Sequence, residues 1–278
     1  MDNRVLERIV IIILLLLDLF LLSVVLTDRA EARRSAAETA ARATEVLRSN
    51  GVTVAEGVVT VQSAPAKCTL QRSGAREQSM AKELLRGSVS VEDLGGNILY
   101  YRSAKGQAVL RGSGETEALL NRGAVEMRGS PEKTCTRILR KMGLSAELCG
   151  AGINASDGET YAEFFCCREA YPVFNAVLRF DFSGDSVYLV TGTRIFDSLT
   201  KSDDSGLLDS VSALMRFAEF LQQSEEFSCT RLDSFRPGYL ASVPVSGETL
   251  LTPVWRLETD GGIFTINAEN GRIENSAA

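Results

Sequence analysis

The chain has 278 residues, 45% of them hydrophobic and 24% charged, enough for one large or two modest folded domains. Thirty Lys and Arg against thirty-six Asp and Glu leave a net charge of −6, and no dense basic stripe occurs, so nucleic acid is not an expected partner. There is no histidine, which excludes Ser-His-Asp and Cys-His catalytic pairs, His-containing zinc sites and a phosphohistidine.

Between Ile9 and Leu26 the sequence IVIIILLLLDLFLLSVVL is polar only at Asp18 and Ser23. A helix of that length is about 27 Å long, close to the ~30 Å hydrocarbon core of a bilayer. Residues 9–27 are therefore read as a single transmembrane helix after a short cytoplasmic tail, 1–8. That places the protein in the cell membrane, N-terminus cytoplasmic and bulk extracytoplasmic. A cleavable signal peptide ending near Ala30-Glu31-Ala32 is the competing reading, but its apolar region would be shorter. An ionisable group near mid-bilayer costs about 2.5–3.5 kcal/mol unless partnered, so Asp18 is the candidate contact with a partner's transmembrane helix.

Residues 28–50 read as a helical stalk, with Ala36, Ala40, Ala43 and Leu47 three or four apart and a stop at Asn50-Gly51. A first α+β module, 51–125, begins with short Val-rich strands. It continues through a helix at 77–85 and a hairpin of 97–102 with 107–111 about Ala104-Lys105-Gly106. Gly112-Ser113-Gly114-Glu115 lacks the Gly-Lys-Ser/Thr ending of a phosphate loop and reads as a turn.

The second module, 126–200, starts with Ser130-Pro131 as a helix start. Cys135, Ile138, Leu139 and Met142 form the buried stripe, and Arg137, Arg140 and Lys141 lie off it. Strands at 161–168, 173–182 and 186–195 follow, the last two joined at Ser183-Gly184-Asp185. The third, 201–278, has an amphipathic helix at 206–222, then strands at 227–232, 239–245, 253–258 and 263–267. The expected fold class is α+β: a single N-terminal transmembrane helix, then repeated modules of one helix packed on an antiparallel β-meander.

Chemistry is sparse in this pattern. The six cysteines read as small buried residues, and Cys166 and Cys167, neighbours in a strand, point to opposite faces, which disfavours a vicinal disulfide or a metal pair. Asp203, Asp204, Glu225 and Glu226 flank a helix in polar turns, where capping and solvation explain them; an acid hydrolase built on these four is the catalytic rival. No catalytic motif, metal set or cofactor motif is found, so the chain is expected not to be an enzyme. Trp255 and Phe264 are candidates for an ectodomain binding face, although strand alternation favours the core for both.

Two stretches carry a resemblance. The opening that runs into ILLLLDLFLL and the helix ending Val46-Leu47-Arg48-Ser49-Asn50-Gly51-Val52 resemble the start of YycI-type proteins. The end of the chain is similar too: Thr252-Pro253-Val254-Trp255-Arg256-Leu257, then Asp260-Gly261-Gly262, Ile263 to Ala268, and Asn270-Gly271-Arg272-Ile273. The resemblance implies a membrane-anchored extracytoplasmic regulator of a sensor histidine kinase in a cell-wall two-component system, acting with a YycH-like companion and without catalytic residues or cofactors. The alternative is a PepSY-like extracytoplasmic module that binds a ligand or inhibits a protease.

Overall fold

The computed structural model describes residues 17, 20–22, 27, 31, 34–156, 158–195, 198–224, 227, 229–243 and 248–276. Residues 34–49 form helix α1, in which Ala43 and Leu47, four apart, are buried. Gly51, with φ +83, ends it, and the Val52 N–H reaches back to the Leu47 carbonyl at 3.0 Å, a left-handed C-terminal cap.

Strands β1 (Thr53–Val54) and β2 (Lys67–Gln71) and helix α2 (Gly74–Leu85) come next. The strands β3 (Ser90–Asp93), β4 (Ile98–Ser103), β5 (Gly106–Arg111) and β6 (Glu115–Leu120) form an antiparallel run. Helix α3 (Pro131–Lys141) begins where Ser130 accepts the Lys133 N–H and Pro131 fills the first position. After it come β7 (Ala146–Ile153), β8 (Thr160–Arg168), β9 (Tyr171–Ser183), β10 (Ser186–Thr193) and β11 (Ser198–Asp203). Helix α4 (Ser210–Gln223) is capped by Asp209, whose carboxylate accepts the Ser212 N–H at 2.8 Å. The chain closes with β12 (Arg231–Ser242), β13 (Thr249–Thr259), β14 (Gly262–Asn267) and β15 (Ile273–Ser276).

These strands join in one mixed 15-stranded sheet, with the path β11-β2-β13-β12-β9-β10-β6-β5-β4-β3 and the remaining strands paired beside it. The halves meet where Val173 of β9 pairs in parallel with Tyr239 of β12. Strand β2 sits between β11 and β13, with Gln71 opposite Ser198 and Leu70 opposite Thr249.

Two cores lie against the sheet. One holds Met80, Leu84 and Leu85 of α2 with Cys135, Ile138 and Leu139 of α3, over Phe164, Leu178, Phe180 and Leu110. The other holds Ala43 and Leu47 of α1 with Leu214 and Phe217 of α4, over Trp255, Leu257, Phe264 and Ile266. Both use the same face at β12 and β13: Phe235 and Tyr239 are an even number of residues apart, as are Leu251, Trp255 and Leu257. Among the described residues no helix packs on the opposite face.

Two expectations are corrected here. No helix among the described residues is long and apolar enough to cross a membrane, which overturns the single-pass, membrane-localised reading. Residues 17, 20–22, 27 and 31 are helical and exposed, while α1, rich in Ala, Arg and Glu, turns its narrow apolar stripe onto the protein rather than toward lipid. Asp18 lies outside the described residues. The repeated helix-on-meander modules are not built either. Strand edges that would be bare in such a module are filled by partners distant in sequence, β2 by β11 and β13, β6 by β10, and the helices cover the sheet in pairs instead of one per meander.

Candidate functional site

The sheet face opposite the two cores carries a band of arginines and aromatic rings across β8, β9, β12 and β13. Arg179 of β9 stands opposite Glu163 of β8 and donates to it at 3.0 Å. It also donates to both carboxylate oxygens of Asp181, at 3.0 and 3.2 Å, and to the Asn154 side-chain oxygen, and its guanidinium lies 4.1 Å from the Tyr161 ring centroid. The hydrogen bond with Asp181, more than any other interaction, raises the Arg179 pKa above its ordinary value.

Arg236 and Arg256 are directly opposed across β12 and β13, an arrangement that like charges disfavour. Two things offset it. Glu147 accepts from Arg236 and Glu258 from Arg256. The rings of Phe165 and Phe174, set edge to face at 5.7 Å, hold both guanidinium groups 5.0–5.8 Å from their centroids. Phe174 occupies the space over Gly238, where an added Cβ would sit 2.5 Å from its ring and from the Pro172 carbonyl oxygen. Phe165, Phe174 and Val254 form a small apolar cluster of their own, to which no helix among the described residues contributes.

Beside this band lies an open strand edge. Among the described residues β7 pairs with β8 alone, so alternate N–H and C=O groups along its far side have no ladder partner. The other edge strands are either short, like β1, or charged: β3 has Glu92 and Asp93, β11 has Asp203 and β15 has Glu274. After Glu147, β7 reads Leu-Cys-Gly-Ala-Gly-Ile, with no charge. Leu148 and Ile153 are 45% and 70% exposed; they stand opposite Phe164 and Thr160, at the rim of the helix-covered face. Gly150 and Gly152 leave room for Glu163 and Tyr161 to lie across the strand, since added Cβ atoms would approach them at 3.0 and 3.2 Å.

Five of the cysteines are held as thiols. All six are free of disulfides. Burial pushes Cys135 and Cys166 up to about 12 and Cys149, Cys167 and Cys229 up to about 11, so these five stay protonated at neutral pH. Cys166 faces the core and Cys167 the opposite side. Asp203 accepts the backbone and hydroxyl hydrogens of Ser205, and Asp204 is exposed; Glu225 and Glu226 lie outside the described residues. No group of three Cys, Asp or Glu among the described residues is gathered as a metal site.

Trp255 and Phe264 are completely buried. Trp255 stacks on Phe235 at 5.0 Å and donates its indole N–H to the Leu208 carbonyl at 3.0 Å, while Phe264 packs 5.1 Å from Phe217. Neither reaches the arginine band, although Arg256, next to Trp255, does.

No family model matches the chain, and no curated protein does. The resemblance to YycI-type proteins therefore gains no support. Among solved structures, an uncharacterized protein from Eubacterium rectale superposes with a TM-score of 0.47 at 11% identity, covering 81% of this chain and 90% of that one.

Proposed function

We propose that the chain is a non-catalytic protein-interaction module that takes an extended segment of a partner protein as an added strand along β7. The observation that carries this reading is the edge itself: uncharged after Glu147, glycine-containing and bearing exposed Leu148 and Ile153, where other edges are short or carry carboxylates along them. Such an edge is an aggregation hazard unless something pairs with it, and main-chain pairing supplies affinity while side-chain pockets supply choice. The phase of Leu148 and Ile153 asks for apolar side chains at alternate positions of the incoming segment. The arginine and aromatic band beside β7 has the residue types that dominate interface energetics, held rigid by internal pairing.

A regulatory role follows in the simplest form, a bias in a partner's two-state equilibrium; differential contact of about 1–3 kcal/mol suffices. This retains the protein-contact part of the regulator expected from sequence and drops its transmembrane part.

The test is selection of extended peptides on the purified chain, followed by amide hydrogen exchange. Binders should slow exchange along β7, and Leu148→Lys with Ala151→Lys should weaken them at least tenfold while leaving the melting temperature in place. Binders that leave β7 exchange unchanged would refute the proposal. So would slow β7 exchange in a concentration-dependent dimer without peptide, which would mean that the edge serves self-association.

A further inference from the structure

A second site lies by α2 and α3, the helices that cover the face of the sheet opposite the arginine band. The C-terminal ends of α2 and α3 and the turn at 123–128 enclose a pocket of about 450 Å³, lined by Arg86, Arg128, Arg137 and Lys141, with Gly123, Ala124, Val125 and Glu126. Four cations against one carboxylate leave a formal charge of +3 (4 − 1) in a chain whose net charge is −6. Arg137 and Lys141 are four apart on α3 and so share one side of it, where like charges repel by a few tenths of a kcal/mol.

What sets this pocket apart is four unpaired cations gathered in one place; among the described residues, single arginines without an ion pair also occur at Arg34, Arg42, Arg122 and Arg140. On and beneath the sheet, Arg72, Arg179, Arg194, Arg236 and Arg256 each hold a carboxylate. Among the described residues, Arg86, Arg128, Arg137 and Lys141 form no ion pair with any, Glu126 included. The Arg86 Nε–H is also buried without a hydrogen-bond acceptor, as are those of Arg168 and Arg236, but each of those two arginines holds a carboxylate through its other nitrogens and Arg86 does not. Arg86 ends α2 in the left-handed conformation, φ 52, with Gly87 next to it. A non-glycine residue there costs about 1–2 kcal/mol, so the fold holds a guanidinium in a place that glycine would occupy more easily.

Cations near helix C-termini complement the helix dipole, which accounts for Lys141, in the last turn of α3. It does not account for Arg137, a turn earlier, for Arg128, which lies outside both helices, or for the unpaired Nε–H of Arg86.

We propose that this pocket binds a compact polyphosphate anion, three or more negative charges held by the forked donors of three arginines and the ammonium of Lys141. The volume lies within the usual range for small-ligand sites, and the lining has no aromatic side chain on which a nucleobase could stack. The recognised chemistry is the phosphate chain, whether free or borne by a nucleotide. This assignment is independent of strand docking on β7.

Isothermal titration of the purified chain at low and moderate salt tests it, with pyrophosphate, tripolyphosphate, sulfate and ATP as probes. Tripolyphosphate should bind at least tenfold more tightly than sulfate, and the affinity should fall with salt. Arg137→Gln and Arg86→Gly should each weaken it about tenfold or more, and Arg86→Gly should leave the melting temperature unchanged or raised. Arg216→Gln, on the exposed side of α4, should leave binding unaltered. Absence of binding, or equal binding by the Arg86→Gly/Arg137→Gln double variant, would overturn the site. ATP binding tenfold more tightly than tripolyphosphate would overturn its base-free character.

Discussion

Arginine serves opposite ends at two places in this molecule. On the sheet and beneath it, guanidinium groups are consumed by neighbours: Arg179 by three side chains, Arg236 and Arg256 by carboxylates and rings, and Arg194 by Glu77, the Gly114 carbonyl and Thr116. Around the end of α3 the same residue type stands without partners. The first arrangement fixes structure, because a satisfied charge has little left to offer a ligand. The second leaves donors whose best partner comes from outside.

The contrast can be broken most forcefully at Arg194. It is 3% exposed, and its guanidinium ties the Glu77 carboxylate of α2, which Arg72 also holds, to the turn at Gly114. Burial lowers its pKa, and Glu77 works against that shift. Arg194→Met should cost about 3–5 kcal/mol in urea unfolding, since it leaves a buried carboxylate under-compensated, and Glu77→Met in the same chain should recover part of the loss. Arg179→Ala should cost less, about 1–3 kcal/mol, because Glu163 is about a third exposed and the buried Asp181 carboxylate keeps the Asn154 amide as a donor. Arg137→Gln should change stability by less than about 0.5 kcal/mol, and a larger loss would show that the pocket cations are scaffold after all.

An exposed carboxylate sharpens the acid side of the comparison. Asp260 accepts the hydroxyl and backbone N–H of Thr230 and the backbone N–H of Arg231, which holds its pKa down at about 2. Its folded pKa lies below the unfolded value of about 3.9, so its contribution is complete above that value and is lost as pH falls toward 2. Asp260→Asn should flatten the stability curve in that window and nowhere else, as followed by urea unfolding at a series of acidic pH values.

What was legible in the amino-acid order was local. The hairpins at Lys105-Gly106 and Ser183-Gly184-Asp185, the Ser130-Pro131 helix start and the Asn50-Gly51 stop were read from a few adjacent residues, and the structure has each of them. Helix α4 starts later than Gly206 because Asp209 is the cap, and Leu208 turns out to supply the carbonyl for Trp255. Strands β2, β7 and β11 were not legible: β7 contains two glycines and two alanines, poor strand formers, and β2 exists through partners more than a hundred residues away. Nor was the cationic pocket. Arg137 and Lys141 read as the wet side of a helix, and only folding brings Arg86 and Arg128 to meet them.

The place of β2 has a consequence for synthesis. Residues 74–193 supply α2 and β3 through β10, a contiguous stretch whose strands find most of their partners within it. Strand β2 leaves the ribosome before all of them, yet Leu70 pairs with Leu199 and Thr249. Leu70 and Thr249 are separated by 179 positions, which at about 5–20 residues per second takes roughly 10–35 s to translate. For that time a strand bearing Cys68 and Leu70, both destined for the core, waits without its neighbours. The nascent chain is most vulnerable there, and slowed translation beyond residue 193 should raise its dependence on chaperones more than slowing before residue 67.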